Sequence, residues 1–175
     1  MRQPIIAGNW KMNKTNQEAA DFVKQLTSTI TNSKTEVIIS PPFTALESTA
    51  QLLEGSNIKL SAQNISEHVS GAYTGEISAD MLTNTKCTHV IIGHSERREY
   101  YHESNQLCQK KCEAALKNKL IPIYCIGETL DQREATMTLD IIKQQLVEYQ
   151  SHKPKITTKD IHTIIKNNNN SPPLP

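Results

Sequence analysis

The stretch VIIGHSERREYY, Val90 to Tyr101, decides the fold. An apolar run, Val90-Ile91-Ile92, breaks at Gly93 and is followed at once by His94, Ser95, Glu96, Arg97 and Arg98. A strand that ends in a glycine turn and passes straight into a polar helix start puts a histidine at the end of a sheet, where a neutral imidazole can meet a small molecule. The same order recurs along the chain. Short runs rich in β-branched and apolar residues stand at IIAG from Ile5, EVIIS from Glu36, IKLSA from Ile58, HVIIG from His89 and IPIYC from Ile121. Between them the apolar spacing becomes helical: Ala19, Phe22, Val23, Leu26 and Ile30 form one face, and Leu139, Ile142, Leu146 and Tyr149 another. Thr15 with Glu18, Thr44 with Glu47, and Thr129 with Gln132 fit the capping-box pattern and mark helix starts.

Strand and helix therefore alternate, and the strands are near-continuous apolar runs. That is the pattern of parallel strands buried on both faces and joined by crossover helices, an α/β fold. A doubly wound sheet and a β/α barrel both satisfy it. Polar residues follow several strands: Asn9 and Lys11 the first, Gln63 and Asn64 the third, His94 and Glu96 the fourth, Glu128 the fifth. Chemistry collected from many strand ends is barrel-like. A dinucleotide-binding sheet would carry G-x-G-x-x-G after a strand, and the chain has neither that motif nor a P-loop.

The 175 residues suit one domain or an incomplete one. Nineteen Lys and Arg against 18 Asp and Glu, interleaved, give no field that points to nucleic acid or an anionic membrane as partner. Cys87, Cys108, Cys112 and Cys125 show no C-x-x-C spacing, and no further ligand completes a metal site around Cys108 and Cys112, so they read as buried small side chains. With no secretory signal or membrane-length apolar run, a reducing, cytoplasmic setting is expected.

Five longer motifs, AGNWKMN (Ala7 to Asn13), LSAQNI (Leu60 to Ile65), GAYTGEIS (Gly71 to Ser78), VIIGHSERR (Val90 to Arg98) and PIYCIGETL (Pro122 to Leu130), resemble the triosephosphate isomerase family in order and spacing over about residues 2–150. The resemblance implies an isomerase of glycolysis and gluconeogenesis that interconverts dihydroxyacetone phosphate and glyceraldehyde 3-phosphate without a metal or organic cofactor. It implies His94 and Lys11 as the catalytic residues, Lys11 and Asn9 as substrate-binding ones, and Ser95 and Glu96 in support. In the family's established mechanism a helix N-terminus keeps the histidine neutral so that it polarises the substrate carbonyl. The resemblance further implies a homodimer, with the Gly-rich loop around Tyr73 and Thr74 inserted into the partner subunit and Arg97 and Arg98 reaching the interface.

After Gln150 the pattern stops. A sixth strand is due near Ser151 to Ile156, but SHKPKI is polar and broken by Pro154. The family's catalytic glutamate and glycine-rich lid do not follow, so no catalytic base is found. ITTKDIHTII, Ile156 to Ile165, faintly resembles the helix after that lid. The expectation is thus an incomplete (β/α)8 barrel of about five β/α units over residues 1–150, a deleted or divergent helical remnant over 151–166, and a disordered, low-complexity tail over 167–175. Glu96 and Glu128 are the carboxylates at the right end of the sheet, and both have structural places in their motifs. Two functions follow: a truncated or internally deleted isomerase, inactive or nearly so, or a non-catalytic oligomerising fragment of that family.

Overall fold

The computed structural model describes residues 4–31, 34–150 and 163–166. The chain runs β1 (Ile5–Asn9), α1 (Asn16–Thr29), β2 (Glu36–Ser40), α2 (Leu46–Leu52), β3 (Lys59–Ala62), α3 (Ala79–Asn84), β4 (His89–Ile92), α4 (Ser95–Tyr100), α5 (Asn105–Lys117), β5 (Ile121–Ile126), α6 (Leu130–Glu134), α7 (Thr138–Gln150) and β6 (Thr163–Lys166). All five apolar runs are strands.

The six strands pair in parallel in the order β1-β2-β3-β4-β5-β6. A doubly wound sheet reverses its order at a switch point, whereas a strictly sequential order is that of a barrel wall. The packing agrees. Leu60, Val90, Ile92 and Tyr124 face the helical layer and pack with Val23, Leu46, Leu82, Cys112 and Ala115. Residues of opposite parity, Ile38, Ile91, Ile123 and Cys125, form a second cluster with Ile5 and Ala7 on the inner face. The fold is an incomplete β/α barrel, with β1 and β6 at the ends of the sheet.

Four expectations need correction or a boundary. The C-terminal remnant, expected to be helical, holds a strand: β6 pairs with β5 from Thr163 opposite Ile123 to Lys166 opposite Ile126. The open edge of β5 offers a row of backbone donors and acceptors, and Thr163, Ile164 and Ile165 are β-branched residues that suit a ladder, so pairing prevails over helical spacing. Residues 151–162 and the 167–175 tail lie outside the described residues. Thr44 does not cap a helix; it sits inside a 3-10 turn, Phe43–Ala45, and α2 starts after Ala45 with no side-chain cap. Leu139 is 80% exposed, so the inward face of α7 is carried by Ile142 and Leu146 and by Gln145. The buried Gln145 amide closes on the turn after β5, donating to the Gly127 carbonyl and accepting from the Gly127 N–H, each at 2.9 Å. The Tyr149 side chain lies outside the described ones.

The other local readings stand. Thr15 and Thr129 both make complete capping boxes, with Glu18 and Gln132. The four cysteines are free and buried. Among the described residues no helix is long and apolar enough to cross a membrane.

Candidate functional site

At the end of β4 the chain turns at Gly93 with φ +70°. A Cβ there would stand 2.8 Å from the Arg98 guanidinium and 3.1 Å from Cys108 Sγ, so glycine meets both the conformational and the spatial demand. His94 follows as the N-cap of α4, its Nδ1 accepting from the Glu96 backbone N–H at 3.3 Å. Nδ1 also lies 3.4 Å from Glu96 Oε2, an acceptor, but the Glu96 N–H aimed at it at 3.3 Å assigns it the accepting role, which puts the hydrogen of the neutral tautomer on Nε2. Burial lowers the His94 pKa, the Glu96 carboxylate pulls it back up, and Lys11 pushes it down again; the net shift is downward. The imidazole is thus a neutral donor at physiological pH.

Lys11 comes from the turn after β1 and has φ +54°. Its Nζ lies 2.6 Å from Glu96 Oε1, its N–H donates to Asn9 Oδ1 at 3.0 Å, and its carbonyl accepts from Gln63 Nε2 at 2.9 Å. Asn9, Lys11, Gln63, His94, Glu96 and Arg97 line a cleft of about 160 Å³ at the C-terminal ends of the strands. The structure therefore gathers Asn9, Lys11, His94 and Glu96 into one place. A cation, a neutral N–H donor and an amide on one cleft can hold a small anion and polarise a carbonyl beside it.

Ser95 instead lines a neighbouring cleft of about 210 Å³ with Arg98, Glu99, Cys125 and Glu128. Arg97 pairs with Glu103 through Nε at 2.6 Å and lies over the Tyr101 ring at 4.7 Å. Arg98 is spent inside the chain: Nε donates to the Gly93 carbonyl, Nη1 to Asn105 Oδ1, and Nη2 to the Tyr124 hydroxyl and the Cys125 carbonyl. Tyr73 and Thr74 lie on a loop that does not line either cleft. Its base is closed by Ser66 N–H to the Ile77 carbonyl at 2.8 Å, its residues 69–76 are exposed, and the Tyr73 ring stacks on His68 at 3.8 Å.

Both carboxylates considered as a base are engaged. Glu96 holds Lys11, and Glu128 is buried against Arg133 Nε at 2.9 Å with the Thr138 hydroxyl at 3.3 Å. Sequence reasoning missed the buried group behind the cleft: Lys111 donates to Asn64 Oδ1 at 2.9 Å and to Glu103 Oε1 at 2.5 Å. Glu103 lies just before α5 and Lys111 on it, in a polar stretch where nothing in their spacing marks them as inward. Gln63 and Asn64 do stand out as polar residues after a strand, but their type alone assigns them no partner.

The triosephosphate isomerase family model matches residues 4–165. The triosephosphate isomerase of Alkaliphilus oremlandii is 50% identical over 147 residues, covering 84% of this chain and 59% of that protein. That of Moorella thermoacetica is 49% identical over 148 residues, 85% of this chain and 59% of that protein. The chain thus spans about three-fifths of the length of these curated relatives. The crystal structure of triosephosphate isomerase from Bartonella henselae superposes with a TM-score of 0.84 at 38% identity, over 94% of this chain and 66% of that one. With sequential parallel strands, the His94 and Lys11 cleft and these matches in agreement, the chain belongs to the triosephosphate isomerase family.

Proposed function

We propose that the cleft binds a phosphorylated triose, dihydroxyacetone phosphate or glyceraldehyde 3-phosphate, and that these 175 residues by themselves isomerise it at or near background. The observation that carries the reading is the Glu96 backbone N–H donating to His94 Nδ1. With Nδ1 accepting from the Glu96 N–H and the pKa depressed, Nε2–H is left to polarise the substrate carbonyl. Lys11 supplies a compact positive charge for the phosphate and for the oxygen of the enediolate that forms when a proton leaves the adjacent carbon. Asn9 accepts from the Lys11 N–H through Oδ1 and so keeps its amide hydrogens for a substrate oxygen.

Proton transfer between the two carbons also needs a base within about 3 Å of the C–H. Glu96 and Glu128 are held in ion pairs, and the described β6 residues, Thr163 to Lys166, include no carboxylate. Losing general-base catalysis alone costs about 10² to 10⁴ in rate. The test is a coupled isomerase assay on purified chain at high concentration beside His94→Gln and Lys11→Ala, with dihydroxyacetone phosphate titrated calorimetrically into each. Expected are background turnover throughout and binding that Lys11→Ala weakens by about tenfold or more. Turnover clearly above background that both substitutions abolish would mean that a working base exists.

A second reading, a non-catalytic oligomerising member of the family, is favoured by the 66–78 loop. Its closed base and exposed tip present Tyr73 and Thr74 outward, as an element that enters a second copy would. In that homodimer Thr74 reaches the partner's cleft and Arg97, at the cleft rim, lies near the contact. The balanced, interleaved charge favours a protein without nucleic acid or anionic membrane partners, and the four free, buried cysteines favour a reducing, cytoplasmic setting.

A further inference from the structure

We infer that Gln63 is a positioning residue that fixes where the cleft's cation stands, by holding the backbone of Lys11 in a left-handed conformation. Lys11 has φ +54°, a region uncommon for residues other than glycine; Lys14, Lys86 and Lys119 enter it too, but Lys11 is the one of these lysines that lines the cleft, so what holds it there sets the site. Among the described residues three contacts act on Lys11, and they are not equivalent. The bond from its N–H to Asn9 Oδ1 spans two residues and moves with the turn itself. The bond from Nζ to Glu96 lies at the far end of a flexible stem and constrains the backbone weakly.

The third bond is different in kind. Gln63 Nε2 donates to the Lys11 carbonyl at 2.9 Å and to the Ser40 carbonyl at 2.9 Å. A side-chain amide has two hydrogens, so both are spent on the barrel wall and neither is left for a ligand. One group at the end of β3 thus ties the turn after β1 to the last residue of β2. Gln63 is anchored in turn, because its neighbour Asn64 accepts from Lys111, which Glu103 holds from below. The consequence is that the distance between Lys11 and His94 is set from the end of β3, by a residue whose two donors both face the barrel wall. The ligand arm of this inference rests on the functional reading above; the backbone arm does not.

The experiment uses the whole chain with Gln63→Met, which keeps length and volume but removes both donors. Backbone chemical shifts and the three-bond amide coupling of Lys11 report its φ, with amides of α5 as internal controls. Expected are a shift of the Lys11 signals out of left-handed values with the controls unmoved, and a dihydroxyacetone phosphate Kd raised by roughly tenfold. If Lys11 keeps its left-handed signals in folded Gln63→Met, the inference is overturned whatever the affinity does. If the parent binds no dihydroxyacetone phosphate, the functional reading fails while the Lys11 signals still decide the inference. Should Gln63→Met not fold, Gln63→Glu decides it. Protonated, the introduced carboxyl donates one bond; ionised, it repels both carbonyls, so the Lys11 signals should titrate with it, and a flat pH response would refute the role.

Discussion

Glu103 sits 2.6 Å from Arg97 Nε and 2.5 Å from Lys111 Nζ, with its side chain 2% exposed. Burial alone would raise its pKa, but the bonds and charges of Lys111 and Arg97 outweigh burial and hold it below the ordinary 4.5. A carboxylate with a depressed folded pKa contributes stability that is present above about pH 4.5 and is lost as pH falls towards the folded value. Removing the charge leaves Lys111, itself 3% exposed, without its counter-ion. Breaking a buried pair from one side costs about 3 to 5 kcal/mol. Glu103→Gln should therefore lower urea stability by that order at pH 7, and should lose less than the parent between pH 5 and pH 3. Equal acid sensitivity in the two chains would show that Glu103 is not the group whose titration matters. The contrast with the cleft is instructive about legibility. His94, Lys11 and Glu96 can be read in the sequence because a polar cluster after an apolar strand is conspicuous. Glu103 and Lys111 cannot, since an inward charge and a solvated one look alike until the fold brings their partners together.

At the scale of elements, two threonines with the same three-residue signature behave differently. Thr15 has its hydroxyl accepting from the Glu18 N–H at 3.4 Å while its own N–H donates to Glu18 Oε2 at 2.7 Å. Thr44 follows Pro41 and Pro42 and is absorbed into a 3-10 turn, so its hydroxyl faces no free helix N–H. Thr15→Ala should lower unfolding stability by about 1 kcal/mol. Thr44→Ala should stay within roughly 0.5 kcal/mol of the parent, as surface changes do. Equal losses in a denaturant titration would mean that the Thr44 cap forms in solution after all. The five strands were legible because parallel, doubly covered strands need continuous apolar runs. The strand at Thr163 was not, because its pairing depends on an open edge of β5 that no local pattern records. Leu139 was misjudged for a related reason: α7 spends its inward face on the Gln145 clamp, which hydrophobic periodicity does not count.

For the whole molecule, polar residues at several strand ends made the barrel legible, and the sequential strand order agrees with it. What association it invites was less so. An unclosed wall leads one to expect an exposed apolar interior, yet Ile38 is only 1% exposed, and the inner cluster is covered. Apolar exposure remains at the edge, where Ile6 of β1 is 65% exposed, and on the 66–78 loop, where Val69 is 75% exposed. β1 pairs with β2 on one side, and an edge strand offers its other row of backbone donors and acceptors as a template for a further strand. The chain at micromolar concentration should therefore self-associate and bind a hydrophobic dye. Two routes are separable by substitution. Ile6→Lys places a charge on the edge and should shift sedimentation towards monomer if strand addition drives assembly. Tyr73→Asp with Thr74→Asp should do so if the 66–78 loop enters a second copy. A compact monomer that binds no dye would rule out both, since neither a free edge nor an unfilled loop contact would then be present to drive association.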